Sequence, residues 1–280
     1  MRIFVAGGSG VLGRNAIPLL AGAGHQVVAT TRSAGKTGLL AELGASPVVL
    51  DALDRDGVLD AVECAQPDAI LHLLTDLGSG DRASTTQLRI VGTRHLVEAA
   101  QRSGVERMVA ESISWVCRPG REPAGENDPL DLEAPEPRRA VVRSIQSLEA
   151  AVQEIPAGVV LRFGYLYGPG TWYSRQDLFG RQAQQGQLPA TETVASFIHV
   201  GDAARAAVAA LDWDAGIWNV VDDDPAAGHD WVPAFAAAVG APSPASVSCG
   251  DIGRPVSNAQ ARRAGLRLDH PSWRTGFLTL

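Results

Sequence analysis

Runs rich in Val, Ile and Leu recur at residues 2–6, 26–30, 47–50, 68–74, 107–110 and 158–162. Each is short and continuous rather than alternating, the pattern of strands buried on both faces. Between them, residues 11–23, 39–43, 58–65, 88–103 and 141–154 place apolar side chains at helical spacing, often with a glycine near the end. Strand and helix therefore alternate. That order predicts right-handed βαβ crossovers and an α/β fold, a doubly wound parallel sheet with helices on both faces. Pro18 inside the first helical pattern predicts a kink. Beyond residue 162 the alternation loosens into shorter pieces at 197–200, 217–221 and 230–239, then a helix capped by Ser257.

The first strand runs into Gly7, Gly8, Ser9, Gly10, Val11, Leu12 and Gly13, a G-x-x-G-x-x-G loop that opens a helix. In that context Gly7 allows a tight turn, Gly10 lets the backbone approach a pyrophosphate, and Gly13 lets helix and strand pack closely. The helix N-terminus adds N–H groups that face negative charge. The loop predicts a Rossmann-type dinucleotide site. An NAD-preferring site ends its second strand on Asp or Glu, but here the stretch reads Thr30-Thr31-Arg32-Ser33. Arg32 can instead pair with a 2'-phosphate, with Arg14 and Lys36 adding positive charge, so NADP is expected over NAD. Asp51, followed by Ala52 at the end of the third strand, is a candidate adenine contact, or a cap of the next helix. The expected organisation is a dinucleotide-binding domain over residues 1–165, with later segments threading back, and a small substrate-binding lobe over most of 166–280. The proline-rich stretch 118–137 should be a loop shaping the substrate pocket.

Composition narrows the partners. The formal net charge is -7 and the pI about 5.4, without a long basic run, which argues against nucleic acid and anionic lipid and leaves a small molecule as the expected partner. Cys64, Cys117 and Cys249 form no C-x-x-C pair and suit a reduced compartment. No apolar run approaches the ~20 residues of a membrane helix. With a strand at the very start, no leader is expected, and the location expected is the cytoplasm. The histidines lack metal-ligand spacing, so no metal is predicted, and no G-x-S-x-G elbow supports serine hydrolase chemistry.

Further motifs follow in a fixed order: Val91-Gly92-Thr93-Arg94-His95-Leu96, then Arg162-Phe163-Gly164-Tyr165-Leu166-Tyr167-Gly168-Pro169-Gly170, then Phe197-Ile198-His199-Val200-Gly201-Asp202 and Trp218-Asn219-Val220-Val221-Asp222-Asp223. With the glycine loop, the chain resembles the extended and atypical short-chain dehydrogenase/reductases, in their epimerase/dehydratase-like branch. The resemblance implies that Leu73, Leu74 and Thr75, then Ser112, then the turn from Gly164 to Pro169 surround the nicotinamide. It implies that Ser112 orients a substrate oxygen, and that a helix-mediated homodimer is common among relatives.

One departure is chemical. Typical members of that family use Tyr-x-x-x-Lys, in which the lysine cation lowers a tyrosine pKa from ~10 so that it passes a proton near neutrality. The corresponding helix here reads Arg139-Ala140-Val141-Val142-Arg143-Ser144-Ile145-Gln146-Ser147-Leu148-Glu149, with valine for Tyr and Ile145 or Gln146 for Lys. Lys36 is the only lysine, and Arg89 replaces the asparagine of the family's N-x-x-G-T motif. The tyrosines are Tyr165, Tyr167 and Tyr173; Tyr165 and Tyr167 are candidates either for catalysis or for packing. The expected function is an NADP-dependent oxidoreductase reducing a carbonyl or activated alkene on a small metabolite, with Ser112 and a pocket tyrosine or water in catalytic roles. A non-redox isomerase, cyclase or lyase on the same scaffold, and a catalytically silent NADP sensor, remain as rivals.

Overall fold

A computed structural model describes residues 1–75 and 82–280. In chain order the elements are β1 (Arg2–Ala6), α1 (Val11–Gly22), β2 (Gln26–Thr31), α2 (Thr37–Glu42), β3 (Ala45–Val49), α3 (Arg55–Ala65), β4 (Ala69–His72), α4 (Arg82–Gln87), α5 (Thr93–Arg102), β5 (Arg107–Ile113), α6 (Arg138–Val152) and β6 (Ala157–Phe163). There follow β7 (Tyr165–Tyr167), α7 (Leu178–Gln184), β8 (Val194–Ala195), β9 (Phe197–His199), α8 (Val200–Ala209), β10 (Gly216–Val220), β11 (Ala226–Ala227), α9 (Gly228–Val239), α10 (Ala259–Arg263) and α11 (Trp273–Gly276). The main sheet is parallel, with strand order β10-β6-β5-β4-β1-β2-β3. Strand order reverses between β1 and β4, and crevices at such switch points hold ligands beyond the carboxyl ends of the strands.

The chain divides into two compact units. The first comprises Met1–Ser112, Leu132–Leu161 and Ala204–Ile217; the second comprises Ile113–Asp131, Arg162–Ala203 and Trp218–Leu280. The first unit's core is aliphatic: Phe4, Ile70, Met108 and Val160 from the strands meet Val58, Val62, Leu96, Leu148 and Val152 from α3, α5 and α6. That of the second is aromatic, built on Tyr167, Tyr173, Phe197, Trp231, Phe235, Trp273 and Phe277. No helix among the described residues is long and apolar enough to cross a membrane.

Three local departures from the sequence pattern matter for the site. The run 68–74 is a strand only over Ala69–His72; Leu73 N–H still donates to the Ala6 carbonyl of β1 at 2.8 Å, and its own carbonyl lies against the glycine loop. The helical pattern 88–103 is split: Leu88–Gly92 is a π-helical turn, and α5 begins at Thr93. Pro18 lies on the exposed side of α1, which continues past it to Gly22.

Candidate active site

The glycine loop is shaped by what lies within reach of each missing side chain. Gly7 has φ +92°, and a Cβ there would stand 2.4 Å from the Leu73 carbonyl oxygen, so only glycine lets the loop rest on the end of β4. At Gly13 a Cβ would stand 2.5 Å from the Gly7 oxygen and 2.6 Å from that of Gly8, and at Gly8 it would stand 2.8 Å from the Ala29 Cβ. The end of β2 holds the loop: Gly7 N–H donates to Thr30 Oγ1 at 3.1 Å, and the Ser9 and Thr31 hydroxyls lie 3.0 Å apart.

Gly10 differs. It is exposed, and a Cβ there would meet only the Gly7 oxygen, at 3.2 Å. The first i→i−4 bond of α1 runs from Arg14 N–H to Gly10 O, and no side chain caps the helix. The N–H groups of Val11, Leu12 and Gly13 thus stand ahead of the helical ladder at the positive end of its dipole. An open glycine before an uncapped helix fits the pyrophosphate of a dinucleotide.

Arg32 follows β2 and is exposed. Leu50 N–H donates to the Thr31 carbonyl at 2.9 Å, which sets the ends of β2 and β3, and so Arg32 and Asp51, on neighbouring strands. The Asp51 carboxylate accepts from Leu53 N–H at 3.0 Å, while α3 is capped by Asp54. Ala52 is buried, and its carbonyl lies 3.0 Å from His95 Nδ1. Leu73 is buried; Leu74 and Thr75 are half-buried beside it.

The ends of β4 and β5 carry the titratable chemistry of the first unit. His72 is buried, with Nε2 2.8 Å from Thr93 Oγ1 and Nδ1 accepting from Leu74 N–H at 3.3 Å. This fixes the proton on Nε2, and burial lowers the imidazole pKa to about 4, keeping the ring neutral. Thr93 Oγ1 lies 3.5 Å from Leu88 O, so the chain from His72 reaches the π-helical turn. Such turns are frequent at functional sites, and this one carries Arg89, which is 8% exposed.

Arg89 acts on Glu111, the partly buried penultimate residue but one of β5. Burial raises the Glu111 carboxyl to about 7, and the Arg89 cation opposes that rise. Ser112, next along the strand, turns to the other face and donates from Oγ to Glu149 Oε1 of α6 at 2.8 Å, both side chains buried. The sequence reading singled out neither Glu111 nor the Ser112–Glu149 bond. The available signal was an acid inside an otherwise apolar strand, Met108-Val109-Ala110-Glu111.

In the second unit Tyr165 is half-buried and stacks on Trp115, with centroids 6.1 Å apart and planes 7° from parallel. Tyr167 is fully buried, edge-on to His199 and Phe277 at 5.2 Å each, and its hydroxyl has no hydrogen-bond partner among the described residues. Burial, and then the nearby Asp222 and Asp202 carboxylates, raise its pKa further above the ordinary phenol value. A phenol so placed retains its proton. Arg162 is buried and donates to the Glu126 carbonyl at 3.2 Å. His199, Asp202 and His270 bring nitrogen and oxygen atoms within 4.8 Å of one another. The His199 Nδ1 accepts from Gly201 N–H, and the Asp202 carboxylate accepts from the N–H groups of Asp269 and His270.

Comparison with known proteins agrees with this geometry. Residues 3–220 match the NAD dependent epimerase/dehydratase family. A Streptomyces protein described as 3-diazoavenalumate denitrifying reductase is 40% identical over 99% of both chains. The 2-alkyl-3-oxoalkanoate reductase of Stenotrophomonas maltophilia is 31% identical over 67% of this chain and 57% of its own. Among solved structures, Thermus thermophilus UDP-glucose 4-epimerase in complex with NAD superposes with a TM-score of 0.78 at 23% identity, covering 100% of this chain and 97% of that one. The Bordetella bronchiseptica enzyme WbmH in complex with NAD+ gives 0.81 at 20% identity, covering 99% and 96%. The glycine loop, the parallel sheet and the end-to-end likeness to a reductase together place this chain in the NAD dependent epimerase/dehydratase family, as an NAD(P)-dependent enzyme.

Proposed function

We propose that the protein is an NADP-dependent reductase that replaces the diazo group of a small carboxylic acid by hydrogen and releases dinitrogen. The observation that carries this reading is the full-length likeness to the Streptomyces denitrifying reductase, in a chain whose α6 has lost the Tyr and Lys of the family pair.

The two features share a chemical reason. Carbonyl reduction consumes a hydride and a proton, R2C=O + H⁻ + H⁺ → R2CHOH, and needs a proton donor tuned to neutrality. Diazo replacement, R–N2⁺ + H⁻ → R–H + N2, consumes a hydride and no net proton. The nicotinamide, when bound, supplies that hydride. The residues offered to its pyrophosphate are the N–H groups of the Gly7 to Gly13 loop, with Arg32 for the 2'-phosphate and Asp51 and Ala52 beside the adenine. Leu73, Leu74 and Thr75 would line the nicotinamide end, with residues up to 165 serving mainly the cofactor and later ones the substrate.

Energy transfer from the tryptophans to bound NADPH and NADH reads cofactor choice. The activity test follows 3-diazoavenalumate and NADPH, expecting one dinitrogen released per NADPH oxidised. Cofactor binding without loss of the diazo group refutes the reading. A second reading, reduction of a 3-oxo acid, is favoured by the Stenotrophomonas likeness; NADPH oxidation by a 2-alkyl-3-oxoalkanoate, with diazo compound untouched, would establish it instead.

A further inference from the structure

Diazo replacement needs no net proton, yet its path moves one. Hydride adds to the terminal nitrogen, the electrophilic atom of a diazonium group, giving a diazene R–N=N–H. Dinitrogen leaves only after the N–H proton is removed, and the carbon it leaves must then be protonated. We propose that Glu111 carries this proton, taking it from the diazene nitrogen and returning it to the carbon from which dinitrogen departs. The proposal rests on the diazo reading above.

The steps balance. R–N2⁺ + H⁻ gives R–N=N–H. Glu111 carboxylate accepts the N–H proton, leaving R–N=N⁻, whose C–N bond breaks to N2 and R⁻. The Glu111 carboxyl then protonates R⁻ to R–H and returns to carboxylate. The cofactor is the reductant, and Glu111 ends as it began.

Position is the first argument. β4 and β5 pair in parallel, with His72 opposite Ala110, so the next step along both strands sets Glu111 beside Leu73. Leu73 is the residue on whose carbonyl Gly7 rests. Glu111 therefore stands at the carboxyl edge of the sheet, one strand from the switch point, where ligands of such sheets bind. Its neighbours are the second argument. The π-helical turn contributes the buried Arg89, whose cation acts on Glu111, while His72, in register with Ala110, and the Ser112–Glu149 pair belong to the opposite face of the sheet. A carboxyl raised by burial to about 7 holds both protonation states near neutrality, as a group that takes and gives one proton per turnover must. The alternatives are poorly placed: Tyr167 retains its proton, and α6 offers Val141, Val142, Ile145 and Gln146 where the family pair would stand.

The test uses the NADPH-loaded protein with 3-diazoavenalumate and follows NADPH oxidation and dinitrogen release separately through the first turnover. In Glu111→Gln, NADPH oxidation in that turnover should stay within a few-fold of wild type while dinitrogen release slows at least ~100-fold. Glu111→Asp should recover part of the release, and unchanged NADPH binding certifies the fold of both variants. Independently of turnover, in protein labelled with ¹³C at glutamate carboxyls, the resonance lost in Glu111→Gln should titrate near neutrality. Equal slowing of both events, no slowing of either, or a resonance titrating near the ordinary glutamate value overturns the role of Glu111 and leaves the diazo reading standing. A wild-type protein that leaves 3-diazoavenalumate intact overturns the diazo reading, and this proposal with it.

Discussion

Gly10→Ala and Gly13→Ala separate the two tasks of the glycine loop, because the structure assigns them different neighbours. At Gly13 a methyl group would stand 2.5 and 2.6 Å from two backbone oxygens, those of Gly7 and Gly8. Neither can swing away, so α1 must lift from the loop. Overpacking of this kind costs about 1–3 kcal/mol. The better helix propensity of alanine offsets at most about 1 kcal/mol, leaving a net loss centred on about 1 kcal/mol in the absence of cofactor. At Gly10 the backbone lies at φ -72° and ψ 172°, open to any L-residue, and a methyl group would meet only one oxygen at 3.2 Å. Folding stability should change by no more than ~0.5 kcal/mol, the scale of an N-cap change from glycine to alanine. That methyl group, however, would occupy the surface before the exposed N–H groups of α1. NADPH affinity should fall at least tenfold, about 1.4 kcal/mol. Thermal unfolding with and without NADPH, together with tryptophan energy transfer, reads both quantities, since bound cofactor raises stability by an amount set by its Kd. A Gly10→Ala protein that binds NADPH as wild type does would refute the placement of the pyrophosphate. A Gly13→Ala protein as stable as wild type would refute the packing argument.

Other outcomes follow from single contacts. Arg32→Ala should weaken NADPH binding while leaving NADH binding nearly unchanged; equal losses for both would remove Arg32 as the 2'-phosphate ligand. The His72 pKa falls from 6.5 to about 4 in the folded state, so its stabilisation is complete above 6.5 and is lost as pH drops toward 4, by up to about 3 kcal/mol. Glu111 and Asp222, raised to about 7 and about 8, pull the opposite way. The measurement is therefore the wild-type minus His72→Gln difference in urea stability against pH, which should shrink as pH falls from 6.5; a flat difference would contradict the neutral buried ring. Tyr167→Phe removes a hydroxyl that has no hydrogen-bond partner among the described residues and should keep both stability, within ~1 kcal/mol, and turnover. Loss of turnover with stability intact would return Tyr167 to catalysis.

What the sequence revealed and what it hid divide along contact range. The glycine loop was legible because its work is local: one strand, one turn and one helix within residues 2–22. The buried strands were legible as continuous apolar runs, with errors at their ends where tertiary contacts decide. Leu73 and Leu74 look like strand by composition, but β4 ends at His72, with Leu73 N–H still bonded to the Ala6 carbonyl and its own carbonyl against the glycine loop. The titratable site was hidden because its bonds span long separations. Ser112 and Glu149 are 37 residues apart, and Arg89 reaches Glu111 from a π-helical turn that no residue pattern announces. The surroundings of the tyrosines were hidden for the same reason. Tyr165-Leu166-Tyr167 reads as a functional turn, but the aromatic side chains that enclose Tyr167 include Phe277, near the far end of the chain.

The loss of the Tyr and Lys pair is built into the packing of α6 and is more than a missing functional group. Val142 and Ile145 are fully buried, and Ser144, also buried, donates to the Val141 carbonyl at 2.7 Å. Leu148, Ala151 and Val152 continue the buried side into the aliphatic core. A lysine at Ile145 would start from a fully buried position, where an unpaired charge costs several kcal/mol or gives up its proton. A neutral lysine cannot lower a tyrosine pKa, so restoring the two side chains would not restore their chemistry. Gln146 is exposed, and a lysine there would sit on the solvent side of the same helix, its charge screened by water. A helix packed in this way suits an electrophile that needs no net proton, the chemistry proposed above, and under that proposal the remaining proton traffic falls to Glu111 near the end of β5, whose carboxyl burial raises to about 7.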